Sequence, residues 1–177
     1  MKQISIFLFA ISFLMLSGCT KKTDNYYINE AAKALSMNNF TLAVSAYDKL
    51  ISEYPNSPKA PFALFQTATF YQNKQVKQDN LTDTKSFEEA VARFRRLFDR
   101  YPNDRLSSRA LFMSGFIQAN DLKQYSQAAA TFNLFLKKYP DNELVVSVKE
   151  ELNNMGLSPE EIIQRKESSV KNASSKQ

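Results

Sequence analysis

Histidine and tryptophan are absent from this 177-residue chain, and cysteine occurs once, at Cys19. Each shortage removes a class of chemistry. Without histidine there is no Ser-His-Asp triad and no Cys-His pair, and zinc sites of the Cys/His type and histidine-ligated haem lose their ligands. A solitary cysteine excludes an intrachain disulfide, so stability has to come from packing. A hydrophobic content of 44% and an aromatic content of 12% can supply it. The net charge is modest, with 23 basic and 18 acidic residues giving +5. The densest basic cluster is Arg93, Arg95, Arg96, Arg100, Arg105 and Arg109. Helical spacing puts Arg93, Arg96 and Arg100 on one face, where they could meet an anionic surface or an acidic partner. With Glu89 four residues before Arg93 and Asp99 interleaved, a solvated face is the expectation. No aromatic-basic platform for nucleic acid is evident.

What the chain does contain is self-similarity. Phe40 to Pro55, Phe87 to Pro102 and Tyr125 to Pro140 superimpose without a gap. The first copy presents Phe40, Ala43, Tyr47, Leu50, Ile51, Tyr54 and Pro55; the second, Phe87, Ala90, Phe94, Leu97, Phe98, Tyr101 and Pro102. The third presents Tyr125, Ala128, Phe132, Phe135, Leu136, Tyr139 and Pro140. Steps of three and four place these side chains on one face of a helix that the proline ends. Partner helices lie between the copies: Ala63–Phe70 matches Ala110–Ile117, and a counterpart runs from about Tyr26 to Met37. Ala31, Ala68 and Gly115 are equivalent small residues, which let two helices approach closely. Asn56-Ser57-Pro58 and Asn103-Asp104 are expected to cap the helices that follow them.

The Tyr-Pro pairs are 47 and then 38 residues apart. The larger spacing is accounted for by the polar stretch 73–84, expected to be an exposed loop inside the second pair. After Pro140, Leu144, Val145, Val148 and Leu152 describe a last amphipathic helix stopping near Gly156, as a terminal cap. Ser158-Pro159-Glu160-Glu161 signals a further short helix over 157–166, and 167–177 is polar enough to be expected disordered.

At the start, Lys2 precedes an apolar run from Ile4 to Leu16, closed by Leu16-Ser17-Gly18-Cys19. A helix over that run would span about 20 Å, short of a hydrocarbon core of about 30 Å. It therefore reads as a signal-peptide core. Leu-Ser-Gly-Cys resembles the bacterial lipobox, in which the cysteine becomes lipidated and N-terminal. That resemblance implies a signal peptide over 1–18, lipid on Cys19, a tether over 19–25 and a repeat domain over 26–156. Thr20 stands where an aspartate in similar proteins favours inner-membrane retention, so the outer membrane, facing the periplasm, is the expected location.

A small residue in the first helix, then alanine, an aromatic four later and proline eight further on, resembles the tetratricopeptide repeat. Tyr27, Leu64 and Leu111 occupy the position that family usually gives to tryptophan. The resemblance implies an all-α superhelix of about three antiparallel helix pairs plus a C-terminal capping helix, whose concave wall receives a peptide or partner helix. By that alignment the wall carries Phe62, Phe65, Thr69, Gln72, Asn73, Arg109, Phe112, Phe116 and Asn120. Any of the phenylalanines could instead fill space between repeats. A lipobox followed by repeats ending in Tyr-Pro is similar to the BamD-like lipoproteins of outer-membrane β-barrel assembly, and to repeat proteins associated with Tol-Pal and cell division. The expected function is a lipid-anchored adaptor for envelope proteins or peptides, with a purely structural lipoprotein as a further alternative. An enzyme would have to use Glu88-Glu89, Glu150-Glu151 or Glu160-Glu161. Neighbouring residues on a helix point about 100° apart and do not converge on a substrate. No catalysis, small-molecule substrate, metal or cofactor is expected.

Overall fold

A computed structural model describes residues 22–174. Cys19 and the rest of the lipobox lie outside the described residues. Among those described there are eight helices and no strand: α1 (Asp24–Ser36), α2 (Phe40–Glu53), α3 (Ala60–Gln72), α4 (Asp83–Arg100), α5 (Ser107–Asn120), α6 (Tyr125–Lys138), α7 (Val145–Asn154) and α8 (Pro159–Ser174). Each helix from α1 to α7 packs on its neighbours in sequence, the order expected of stacked helix pairs. The pairs are α1/α2, α3/α4 and α5/α6, with α7 against α6.

The three recurring segments are the second helices. Each stops at the tyrosine before proline, and Tyr54, Tyr101 and Tyr139 share one conformation, with φ of −129°, −131° and −132°. A following proline disfavours the α region, which explains the common stop. These tyrosines also reach backwards. The Tyr101 hydroxyl donates to the Pro55 carbonyl at 2.5 Å, the Tyr139 hydroxyl to the Pro102 carbonyl at 3.1 Å, and the Tyr54 hydroxyl to the Lys22 carbonyl. The tyrosine closing one pair is thus tied to the backbone at the corresponding point one repeat earlier.

The first helices end in a second recurring device. Asn38, Lys74 and Lys123 all adopt left-handed φ, between 54° and 57°, immediately beyond α1, α3 and α5. Backbone N–H groups there return to carbonyls of the last helical turn, as Asn39 to Ala34 and Gln75 to Phe70, both at 2.9 Å. In the first and third pairs the second helix starts two residues later; in the second pair the chain runs on to Thr82, whose Oγ1 caps α4 through the Lys85 N–H.

That insertion is less exposed than its polarity suggests. Val76 is buried, and the backbone of Lys77 both donates to and accepts from the Thr41 hydroxyl on α2, each at 3.0 Å. Helix α4 also begins at Asp83, four residues before the recurring segment. The proposed caps need correction too. Lys59 and Leu106 stand at the N-caps of α3 and α5 and provide no side-chain cap. One extra turn separates the proline from the helix, so Ser57, Asp104 and Asn142 instead accept from the N–H two residues on, at 3.2, 2.8 and 3.0 Å. Finally, α8 continues to Ser174, past the expected 166 and through most of the segment expected to lack structure. Its start has the anticipated reciprocal cap, Ser158 N–H to Glu161 and Glu161 N–H to Ser158.

The core follows the repeat. Ala43, Ala90 and Ala128 are fully buried, as are Leu64 and Leu111; Tyr27 is buried at the same position with its hydroxyl donating to Glu53 at 2.6 Å. That hydrogen bond, followed by burial, pushes the Tyr27 phenol up to about 12. Helices α5 and α6 cross closely at Gly115. A Cβ on Gly115 would lie 2.7 and 2.9 Å from ring carbons of Phe132, itself fully buried.

Two outcomes follow from this packing. Gly115→Ala should lower stability by about 1–3 kcal/mol through overpacking, measured by urea unfolding, while Asp79→Ala in the exposed insertion should leave it unchanged. Tyr101→Phe, which removes one inter-repeat hydrogen bond, should cost about 0.5–1.5 kcal/mol in the same assay.

Candidate partner-binding surface

Helices α3 and α5 are the first helices of adjacent pairs and touch each other. Their buried residues fall on one side, Ala63, Leu64, Thr67 and Ala68 on α3 and Ala110, Leu111, Ser114 and Gly115 on α5. Helical geometry therefore turns positions 62, 65, 69 and 72, and 109, 112, 116 and 120, to the other side. None of the nine residues expected on the wall is buried. Phe62, Asn73, Arg109 and Asn120 are exposed, and Phe65, Thr69, Gln72, Phe112 and Phe116 half-buried.

Their surroundings divide them. Phe62 is 39% exposed and meets Tyr47 of α2 edge-on, with ring centres 6.2 Å apart. Phe65 stands edge-on to the buried Phe94 at 5.3 Å, and the Arg109 guanidinium lies over its other side at 5.6 Å, joining α5 to α3. Phe112 contacts both Phe116 and the buried Phe132, at 6.2 and 6.1 Å. Phe65 and Phe112 each pack on the second helix of their own pair and remain partly accessible to solvent, while Arg109 over Phe65 makes the contact between pairs. Two of the polar residues are engaged inside the protein. The Thr69 hydroxyl donates to the Phe65 carbonyl at 2.9 Å, and the Asn120 amide bridges to Glu151 of α7 at 3.1 Å.

The same wall continues into a groove of about 480 Å³ between the starts of α5 and α7, lined by Arg105, Arg109, Phe112, Met113, Glu143 and Leu144. Sequence reasoning missed its far side. Arg105, in the turn before α5, lies near Arg109 in the chain, but Glu143 and Leu144 reach the groove only through the stacking of α7.

The basic cluster is not one solvated face. Arg93, with a side chain only 15% exposed, crosses from α4 to α2 and binds Asp48 through both terminal nitrogens, at 2.6 and 3.0 Å. Its guanidinium also lies 4.8 Å from the Tyr71 ring centre. Burial opposes the charge, but the Asp48 carboxylate outweighs it and holds the guanidinium above its ordinary range. The Nε has no hydrogen bond; Glu89 is an electrostatic neighbour at 3.6 Å. Arg95 pairs with Asp99 on the same helix, at 3.1 Å. Arg93 and Arg96 flank a second, polar groove between α2 and α4 of about 590 Å³.

The acidic pairs are spread along the array. Glu89 lies beside Arg93, Glu151 accepts from Asn120, and Glu161 caps α8. Among the described residues no group of three His, Cys, Asp or Glu side chains is placed to hold a metal ion, and no helix is long and apolar enough to cross a membrane.

Comparison with known proteins agrees with this architecture. The chain is 30% identical over 102 residues to the outer membrane protein assembly factor BamD of Neisseria gonorrhoeae, and equally to those of Neisseria meningitidis serogroups A and B. The match takes in 58% of this chain and only 34% of each relative, so it spans about a third of their length. A tetratricopeptide repeat model matches residues 30–57, 62–104 and 109–142, the three helix pairs in turn, and so covers more than half of the chain. With three stacked pairs, their Tyr-Pro closures and this match, the chain belongs to the tetratricopeptide repeat family.

Proposed function

We propose that this protein is a lipid-anchored scaffold of the bacterial envelope that captures protein partners on the wall formed by α3 and α5, in the service of outer-membrane protein assembly. The observation that carries the reading is the aromatic surface itself. Phe62 and the edges of Phe65, Phe112 and Phe116 remain accessible beside Arg109, although the neighbouring core is closed by Phe94 and Phe132. Exposed aromatics and arginine are the residue types that dominate protein interfaces energetically. An extended peptide or a helix would lie along this wall, its apolar side chains against the rings and an acidic group near Arg105 and Arg109.

The names of the matched relatives favour assembly over the division-associated and purely structural alternatives. The role belongs to the repeats, since only a third of each relative is matched. No catalytic step is assigned to the protein. Lipid on Cys19 would hold the domain at the membrane, because the several chains of a bacterial lipoprotein anchor stably where one would not.

Two experiments test this function. Phe62→Ser combined with Arg109→Glu alters two exposed side chains whose packing is limited to the Tyr47 edge and the Phe65 face, so the melting temperature should fall by no more than a few degrees while crosslinks to envelope partners in intact cells are lost. Retention of every crosslink by the folded variant would assign binding to another surface, with the groove between α2 and α4 next in line. Cys19→Ser should move the protein from the membrane fraction to the soluble one. A wild-type protein recovered wholly in the soluble fraction would overturn the anchor.

A further inference from the structure

The first helix pair has an outward side that no other pair covers. A terminal repeat in a stacked array ordinarily presents a polar outer face there. Here it presents Leu42, 50% exposed, and Tyr26, 37% exposed. They line one groove of about 150 Å³ between α1 and α2, with Lys22, Glu30, Ser45 and Lys49 around them. The Lys22 ammonium sits over the Tyr26 ring at 4.6 Å.

We propose that this outward face of the first pair rests on the phospholipid headgroup layer, with Tyr26 and Leu42 entering it and Lys22 and Lys49 meeting lipid phosphates. The inference rests on the lipid anchor proposed above and goes on to fix the orientation of the domain. Its main support is reach. Lys22 is three residues on from Cys19, so even a fully extended tether keeps it within about 11 Å of the lipidated residue. Tyr26 is in the first turn of α1, about 3 Å along the helix axis from Asp24.

The start of the domain is also held against its own body, so the reach from Cys19 cannot lengthen by unwinding of the first turn. The Lys22 carbonyl accepts from Tyr54, and Thr23 caps α1 through the Tyr26 N–H at 3.2 Å. Asp24 accepts from Ser57 at 2.7 Å and Lys59 at 2.8 Å in the link between α2 and α3. A membrane contact at Lys22 therefore brings the first pair with it. Residue chemistry matches the site: tyrosine and lysine each combine an apolar body with a polar tip and favour the membrane–water boundary. Basic residues near the surface add attraction to anionic lipid. Glu30 is the opposing charge in the groove.

The absence of tryptophan makes the test clean. The full mature protein, carrying Tyr26→Trp, Leu42→Trp or Val146→Trp as its sole tryptophan, is reconstituted into phosphatidylethanolamine–phosphatidylglycerol vesicles with and without brominated acyl chains. Val146, 67% exposed on α7, reports the far end of the array. Bromination should quench positions 26 and 42 about twofold or more, as expected for side chains at the headgroup–acyl boundary, and leave position 146 unchanged. Leu42→Trp serves if Tyr26→Trp disturbs the fold. Protein that floats with the vesicles but shows no quenching at 26 and 42, or equal quenching at all three positions, overturns the orientation and leaves the anchor standing. Protein that does not float, with an unmodified Cys19 by mass, overturns the anchor and the orientation with it.

Discussion

The contact on which the stacking depends is the backward reach of a tyrosine hydroxyl. Tyr54, Tyr101 and Tyr139 sit where a helix must stop, because proline follows; Tyr101 and Tyr139 donate to a backbone carbonyl one repeat earlier, and Tyr54 to that of Lys22 just before α1. Proline determines the stop, and the stop aims the ring. A tyrosine one position away would point elsewhere on the helix, so the pair works only as a unit. The bond acts between nearest neighbours, which is how stability is organised in an array whose repeats touch only those on either side. The small residue at the crossing within each pair is its counterpart. Ala31, Ala68 and Gly115 bring the first helix close enough to the second for Tyr47, Phe94 and Phe132 to be buried beneath it.

The candidate surface follows from the same arrangement. Stacking covers one side of each first helix with the second helices and leaves the other side in solvent. Aromatic residues at the margin then serve in two ways, because a ring is large enough to pack one edge and present the other. Phe65 and Phe112 are of this kind, whereas Phe62 contributes more accessible area and less packing. The Arg109 guanidinium over Phe65 places a cation in the middle of the wall, where it favours partners that bring an acidic group with their apolar ones.

The arginines illustrate how context divides one residue type. Arg93 is drawn inward by Asp48 and Tyr71 and joins α4 to α2, Arg95 is satisfied on its own helix, and Arg105 and Arg109 face the groove beside α7. Only the last two are placed to meet a partner on the proposed wall. That Arg105 and Arg109 lie close together is visible in the numbering, although Arg105 precedes α5; the inward turn of Arg93 is not, since its partner lies 45 residues away.

Local chemistry determined a great deal by itself. The period of three and four, the Tyr-Pro stops and the buried alanines specified paired helices and their order, because helix formation and termination depend on residues within a turn or two. The side of α3 and α5 that carries the candidate wall was legible for the same reason, as was the reciprocal cap of Ser158 and Glu161. Tertiary structure decided the rest. Which carbonyl each tyrosine would reach, the anchoring of the insertion by Thr41, the inward turn of Arg93 and the closing of the groove by Glu143 and Leu144 all join residues far apart in the chain. So does the exposure of Tyr26 and Leu42, which share one groove only because α1 folds back on α2. Such pairings are settled by how helices stack and by what each side chain then finds opposite it, and no spacing along the chain encodes that.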